Sequence, residues 1–391
     1  MRPIVPYGLF SARIRPLLMT ATRRVVASRP IRVVVACLGV WLAGPEAIGG
    51  HATQTSAASP IQVLVTMYRR GDFNAAVAEF LSWDDKRVRR EATLPADAPP
   101  PDIAALVLMH TSAAVARGTF GSGNQPPRQD STHFPAALNL VNALARRATM
   151  TAGDPSLRAF CRDWYIVVVS LWSAGREYQQ ADIVAGAARS RLGDDARLLL
   201  AAGSAAEALM ELTLFRGSRE PNTWAHPASL GVTAVHADEW LGRAVKLDPT
   251  LVEARLRRGR VLYLFGRIPE ARKELEQTLA DASAVNHPFA AYLAAMFLGE
   301  LFEHGGQVGE ARAAYEKAIA LHPEYQSAHL ALGQLLVAAG KPEQGWAAAR
   351  RVFGDAANPR NPERDPWFDY RSAQFWQAQD LVKGMFEWVR R

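Results

Sequence analysis

The sequence predicts an all-α protein built from antiparallel helix pairs stacked into a solenoid, with a separate helix at the C-terminal end. Three observations predict it. Alanine and leucine dominate and β-branched runs are few, a balance that favours helix on intrinsic propensity. Apolar residues recur at i, i+3, i+4 and i+7, the spacing of one helix face. Small side chains return at near-regular intervals along the chain, as close-packed helix pairs require.

The chain has 391 residues, 49% of them hydrophobic. That length allows two or three domains or one long repeat array, with enough apolar surface for a sizeable core. Four regions are expected: a leader over 1–52, a divergent repeat-like helical region over 53–150, regular repeats over 151–353, and a linker with a capping helix over 354–391.

The leader reads as a secretory signal. Arg23, Arg24, Arg29 and Arg32 precede a short apolar run, Val33 to Ala43, followed by small residues that suit cleavage after Gly49 or Ala52. The run is shorter than the roughly 20 residues a spanning helix needs, so no stable transmembrane span is expected once the leader is removed. Met19 is an alternative start that would give a leader of ordinary length. Arg23-Arg24 loosely matches a twin-arginine signal. Cys37 follows Val34-Val35-Ala36 and resembles a lipidation site, though the apolar run continues past it to Leu42.

The leader also explains the net charge of +7. Residues 1–52 hold seven arginines and one acid, so of 45 basic and 38 acidic residues in the chain, 38 and 37 lie beyond it. A near-neutral body lacks the clustered basic face that phosphate binding demands, and no nucleic acid is expected as a partner. Without Cys37, Cys161 is left alone, excluding a disulfide framework. It reads as a small buried apolar side chain.

The clearest repeat unit begins near Tyr292 and carries Leu298-Gly299, Phe302, Gly306, Ala311, Tyr315, Ala318 and Pro323. The next begins near Gln326 with Leu332-Gly333, Leu336, Gly340, Gly345 and Ala349. Upstream, a unit from Val252 carries Gly259, Leu262, Gly266, Ala271 and Leu275, with Arg258 in its leucine place. A unit from Ala196 pairs Gly203 with Ala237, Leu241, Ala244 and Pro249. Another from Arg162 carries Val168, Trp172, Ala181, Ala185 and Ala188. The starts at 162, 196, 252, 292 and 326 are 34, 56, 40 and 34 residues apart. Small residues such as Gly299 and Ala311 let two backbones approach, Phe302 and Tyr315 fill the space between them, and Pro323 ends the second helix.

These units resemble the tetratricopeptide repeat family, whose pattern runs L-G-x-x-aromatic, then A-x-x-x-aromatic-x-x-A, then P, with a period of about 34 residues. The resemblance implies a right-handed superhelical solenoid, capped at its end and without catalysis. It further implies that the first helices of successive hairpins line a concave groove for a protein or peptide. By register that groove holds Glu253, Leu256, Arg257, Arg260 and Tyr263, then Leu293, Met296, Glu300, Glu303 and His304, then Ser327, Leu330 and Gln334. Arg257, Arg260 and Tyr263 are the expected anchors, because arginine and tyrosine are enriched at interface hot spots. Trp224 and His226, in the 22-residue insertion around Arg216 to Gly231, form a second candidate surface.

Other regions are less regular. Met67, Gly71-Asp72-Phe73, Ala76 and Phe80 resemble half of a divergent unit. Ile103 to Arg117 and Phe134 to Arg147 read as helices, with a loop from Gly118 to Thr132 between them. Asp355 to Pro366 reads as a linker. Ser372 to Val389 reads as an amphipathic helix with Phe375, Gln379, Val382, Met385, Phe386 and Val389 along one stripe, expected to cap the last repeat. A partner-binding role for that end, using Trp367, Phe368, Trp376 and Trp388, is the alternative.

No catalytic constellation is present: no phosphate-binding glycine loop, no nucleophile elbow and no zinc-like cysteine pair. Glu300, Glu303 and His304 share a helix but lack the motif of a zinc enzyme, and an i,i+4 Glu–His pair is an ordinary surface feature. Asp84-Asp85 and Asp194-Asp195 fall where helix caps are expected. No enzyme activity, cofactor or metal is expected. The expected function is an exported scaffold of the periplasm or cell envelope, or a secreted one, that binds a peptide or helix in its groove. One rival is an envelope glycan or ligand binder, or the helical part of a hydrolase, with Trp172, Trp224 or Trp240 exposed in a cleft. Another is an outer-membrane assembly lipoprotein anchored at Cys37.

Overall fold

The computed structural model describes residues 58–121, 126–150, 154–217, 231–284, 287–353, 365–370 and 378–391. The expected leader with Cys37, the insertion residues Trp224 and His226, most of the 355–366 linker, and Phe375 and Trp376 lie outside the described residues. Every regular element among the described residues is an α-helix. They divide into two compact units: one holds the helices up to Gly193 together with the last helix, and the other those from Asp194 through Tyr370.

In the first unit, α1 (Pro60–Arg70) and α2 (Phe73–Ser82) form the divergent hairpin. Gly71 turns between them at φ 103°, a conformation that costs glycine little. A short α3 (Asp85–Glu91), not expected from the sequence, follows because Asp84 accepts a hydrogen bond from the Arg87 N–H at 2.7 Å. Then come α4 (Pro100–Ala116), α5 (His133–Met150), α6 (Pro155–Ala174) and α7 (Tyr178–Leu192). Asp130 starts α5 by accepting from the backbone N–H groups of Thr132, His133 and Phe134. Asp154 caps α6 in the same way, with Pro155 at its first position. The unit begins at Pro155 rather than at Arg162 because a proline and a cap seven residues upstream extend the helix. Cys161 is fully buried on α6, and burial pushes its thiol up to about 12.

The last helix, α17 (Ala378–Val389), belongs to this first unit. Val382, Met385 and Val389 are buried on its stripe as expected, joined by Leu381. Its place corrects the expectation that it covers the last repeat: it packs on α6 and α4. Phe386 lies 4.6 Å from the Phe73 ring and Trp388 5.0 Å from Phe160. The Arg69 Nε–H donates to the Val389 carbonyl at 3.1 Å, satisfying a C-terminal carbonyl that the helix leaves open. A stripe's spacing reveals that a helix is covered on one side, but not by what.

The second unit is a run of hairpins: α8 (Ala196–Gly217) with α9 (Gly231–Leu247), α10 (Val252–Leu264) with α11 (Ile268–Ala284), α12 (Pro288–His304) with α13 (Val308–Leu321), and α14 (Gln326–Ala338) with α15 (Pro342–Phe353). Three of the four begin where the repeat register places them. The third starts at Pro288, four residues early, since the His287 ring accepts from the Ala290 N–H and Pro288 opens the helix. Part of the 22-residue insertion is helical, because α8 continues to Gly217.

The small residues sit at the helix crossings. A Cβ built on Gly203 would stand 2.5 Å from Leu241, on Gly259 2.8 Å from Leu275, on Gly299 2.3 Å from Tyr315, and on Gly333 2.9 Å from the Gly345 carbonyl. Ala311, Tyr315 and Ala318 are fully buried opposite them. Each second helix also packs on the first helix of the next hairpin, so a face that one hairpin leaves open is covered by its neighbour. A five-residue helix, α16 (Pro366–Tyr370), completes the unit against α12.

Candidate functional site

The first helices α8, α10, α12 and α14 carry a line of polar and aromatic side chains in repeat register. Arg260, Glu300 and Gln334 occupy equivalent places on α10, α12 and α14, and so do Glu253, Leu293 and Ser327. This face carries an ionic cluster and is met by a segment of the chain's own sequence.

Arg257 is 1% exposed. Its Nε–H donates to Glu253 at 2.9 Å and its Nη1–H to Glu207 on α8 at 3.0 Å. One turn on, Arg260 is 2% exposed, donates to Glu300 at 2.9 Å, and lies 3.6 Å from Glu211. Its guanidinium sits 4.7 Å from the centre of the Phe297 ring. Burial raises the carboxyl pKa of Glu207 and of Glu253, and Arg257 offsets only part of that. For Arg257 itself burial disfavours the charge, yet Glu253, Tyr370 and Glu207 more than offset it, and its pKa stands above the ordinary arginine value. Beyond this cluster, Tyr263 shares a 2.7 Å hydrogen bond with the His304 ring. Glu303 accepts from the Tyr315 hydroxyl at 2.8 Å, and burial raises its pKa against that bond.

The segment Asp365–Tyr370 lies against the same helices. Asp365 is 1% exposed. One carboxylate oxygen accepts from the Ser327 N–H in the first turn of α14 at 2.9 Å. The other accepts from the Tyr292 hydroxyl at 3.3 Å and from the segment's own Trp367 N–H at 3.1 Å. The Trp367 and Tyr370 rings each lie 5.0 Å from the Phe297 ring on α12. Tyr370 covers the Arg257 guanidinium at 4.5 Å and donates its hydroxyl to Glu207 at 2.5 Å. Burial, then the Glu207 charge, drives the Tyr370 pKa far above that of a free phenol, so its hydroxyl stays a donor.

This arrangement corrects the expected role of the anchors. Arg257, Arg260, Met296 and Glu300 are buried rather than presented to solvent, and Tyr263 is only 9% exposed. A guanidinium in a water-poor site must be paired, and here the carboxylates of neighbouring first helices pair it. Glu303 and Gln334 are half-buried, and the Gln334 Oε1 has no hydrogen-bond partner among the described residues. Trp224 lies outside the described residues. Glu207, Tyr292, Asp365 and Tyr370 were missed by sequence reasoning. The signal for Asp365 was local: an aspartate before a proline marks a helix start.

Two of the three tryptophans of the rival glycan reading, Trp172 and Trp240, are not offered to a cleft. Trp172 is 6% exposed, packed edge-on against Phe120 and Phe134. Trp240 is 6% exposed and stacked on His236. Of the three residues weighed as metal donors, Glu300 is held by Arg260, Glu303 by Tyr315, and His304 by Tyr263 and the Glu300 carbonyl.

Two models of tetratricopeptide repeats match residues 256–325 and 304–362. The chain matches no curated protein. Among solved structures it is similar to MamA. MamA 41-end from Desulfovibrio magneticus RS-1 is 19% identical, with 49% of this chain and 94% of that chain covered and a TM-score of 0.35. A MamA RS-1 double mutant is 20% identical, with 50% and 98% covered and a TM-score of 0.37. A crystal structure of the MamA protein is 18% identical, with 50% and 94% covered and a TM-score of 0.38. The family assignment rests on the repeat models and on the register of the helix crossings. Residues 256–362, matched between them by the two models, carry tetratricopeptide repeats, in hairpins that nest on glycine and alanine at these positions.

Proposed function

We propose that this chain is a non-catalytic protein-interaction scaffold, exported to the cell envelope, and that it holds an extended peptide or a short helix along the first-helix face of α8, α10, α12 and α14; its tetratricopeptide repeats support the scaffold reading. The observation that carries this reading is the contact set of Asp365–Tyr370: a short peptide segment gripped by side chains of α8, α10 and α12 and by a backbone N–H of α14. Polar groups that fix orientation beside aromatic surface that supplies contact area suit peptide recognition. Export is supported by the sequence of residues 1–52: arginines, a short apolar run, then small residues.

A photo-crosslinking amino acid at Gln334, on the first-helix face, is compared with one at the exposed Arg312 on α13. The partner is expected to crosslink at 334 and not at 312. Equal yields at both positions would remove the face from the function. The mass of the mature N-terminus tests export: an intact Met1 or Met19 in the purified protein contradicts leader removal.

A further inference from the structure

The segment Asp365–Tyr370 does not belong to the repeat. It is no member of a hairpin, it falls after the last one, and its described side-chain partners outside itself lie on first helices. It meets those helices as a ligand would, through three separate points of recognition.

The first is acidic. The Asp365 carboxylate sits at the N-terminus of the 13-residue α14, where open backbone N–H groups and the helix dipole favour an anion. The Ser327 N–H and the Tyr292 hydroxyl bind its two oxygens separately. The second is aromatic: Phe297 presents one ring to both Trp367 and Tyr370. The third is a phenol site. Arg257 lies under the Tyr370 ring, and Glu207 accepts its hydroxyl. A phenylalanine here would leave the buried Glu207 oxygen without this donor, a contrast that discriminates strongly between otherwise similar side chains.

Resting on the groove reading above, we infer that Asp365–Tyr370 is a resident ligand of this groove, and that the partner is a peptide of the same pattern: an aspartate, an aromatic residue two positions later and a tyrosine five positions later. The partner binds by displacing the resident segment. The phenol site has support of its own, because Arg257 is held by Glu253 on its own helix as well as by Glu207. A segment on the same chain competes at an effective concentration on the order of millimolar. It therefore screens out weak binders and yields to a peptide that makes the same contacts more tightly.

The test measures binding of a fluorescein-labelled peptide, Asp-Pro-Trp-Phe-Asp-Tyr, to the full chain by fluorescence polarisation. The full chain is compared with the variant Asp365→Asn/Tyr370→Phe, which weakens the resident segment with almost no change in volume. The variant is expected to bind the peptide at least about tenfold tighter than the unaltered chain. The same peptide ending in phenylalanine is expected to bind the variant more weakly than the tyrosine form. Equal affinity for chain and variant overturns the proposal, and so does equal affinity for tyrosine and phenylalanine forms. If the double variant fails to fold, Tyr370→Phe alone serves, with the same direction expected. Loss of the peptide effect while partner crosslinking at position 334 persists sinks the resident ligand and leaves the groove reading standing. Loss of both sinks the groove.

Discussion

Gly299 and Tyr315 meet where α12 crosses α13, so closely that a single methyl group on the glycine would stand 2.3 Å from the tyrosine ring. The ring is fully buried and its hydroxyl donates to Glu303 on the first helix. It therefore cannot swing away without losing both packing and a hydrogen bond. Gly299→Leu is expected to destabilise the second unit by about 3 kcal/mol or more, beyond ordinary overpacking. Gly186, exposed on α7 with nothing near its Cβ position, is the opposite case. Gly186→Ala should stabilise by about 0.5–1 kcal/mol. Denaturant unfolding of both variants checks the contrast, and a neutral Gly299→Leu would place the crossing elsewhere.

Arg257 neutralises two buried carboxylates. Arg257→Leu should cost about 3–5 kcal/mol, as removal of one partner from a buried ionic group does. The pH dependence has a definite sign. Glu207 and Glu253 already have raised pKa values, so the fold holds their protons more tightly than the unfolded chain does. Their contribution is fully present below the ordinary glutamate value and is lost as pH rises through the folded value. Without Arg257 those values climb further. The variant's deficit, measured by urea unfolding, should be smaller at pH 5 than at pH 8, and a deficit that does not vary would contradict the pairing.

The first unit should show the reverse trend. His110 and His133 are buried with their Nδ1 atoms 3.1 Å apart, one ring donating and the other accepting. Burial, then the neighbouring histidine, holds His110 down to about 3. Burial, then Arg117, holds His133 down to about 4. The unfolded chain, with histidines near 6.5, binds more protons throughout that window. The pair's stability is fully present above about 6.5 and falls as pH drops towards 4. Thermal melts between pH 7.5 and 4.5 should show this loss in the unaltered chain and a smaller one in His110→Leu/His133→Leu. Parallel curves would mean that the pair is not buried neutral.

Arg176 has φ 65° in the turn between α6 and α7, the left-handed region that Gly266, Gly306 and Gly340 adopt in the turns of three later hairpins. Its side chain is exposed. Arg176→Gly should therefore raise stability by about 0.5–1 kcal/mol, the penalty of a side chain in that conformation less the entropy glycine loses. A melting temperature at or below that of the unaltered chain would show that arginine is tolerated there without strain.

What the sequence disclosed follows from distance along the chain. The crossings at Gly259, Gly299 and Gly333 were legible because each small residue has its counterpart within one hairpin, and the spacing recurs. The first-helix positions Arg257, Arg260 and Glu300 were legible as neighbours for the same reason. Their burial was not, because it depends on Glu207 and Tyr370, which are 163 residues apart and share no local pattern. The stripe of α17 could be read from Val382, Met385 and Val389, yet its seat on α6 and α4 is a long-range contact that periodicity does not encode. Helix α3 escaped notice because seven mostly charged residues carry no apolar period, and only the cap at Asp84 marks it.

The central claim is that Tyr370 docks on the first-helix face through Glu207, and a double-mutant cycle of Glu207→Gln and Tyr370→Phe tests it most directly. Unfolding free energies of the unaltered chain, both single variants and the double variant should give a coupling of about 1–3 kcal/mol, the range for a buried hydrogen bond to a charged group. Single effects that sum to the double effect within about 0.3 kcal/mol would show that the two residues do not meet.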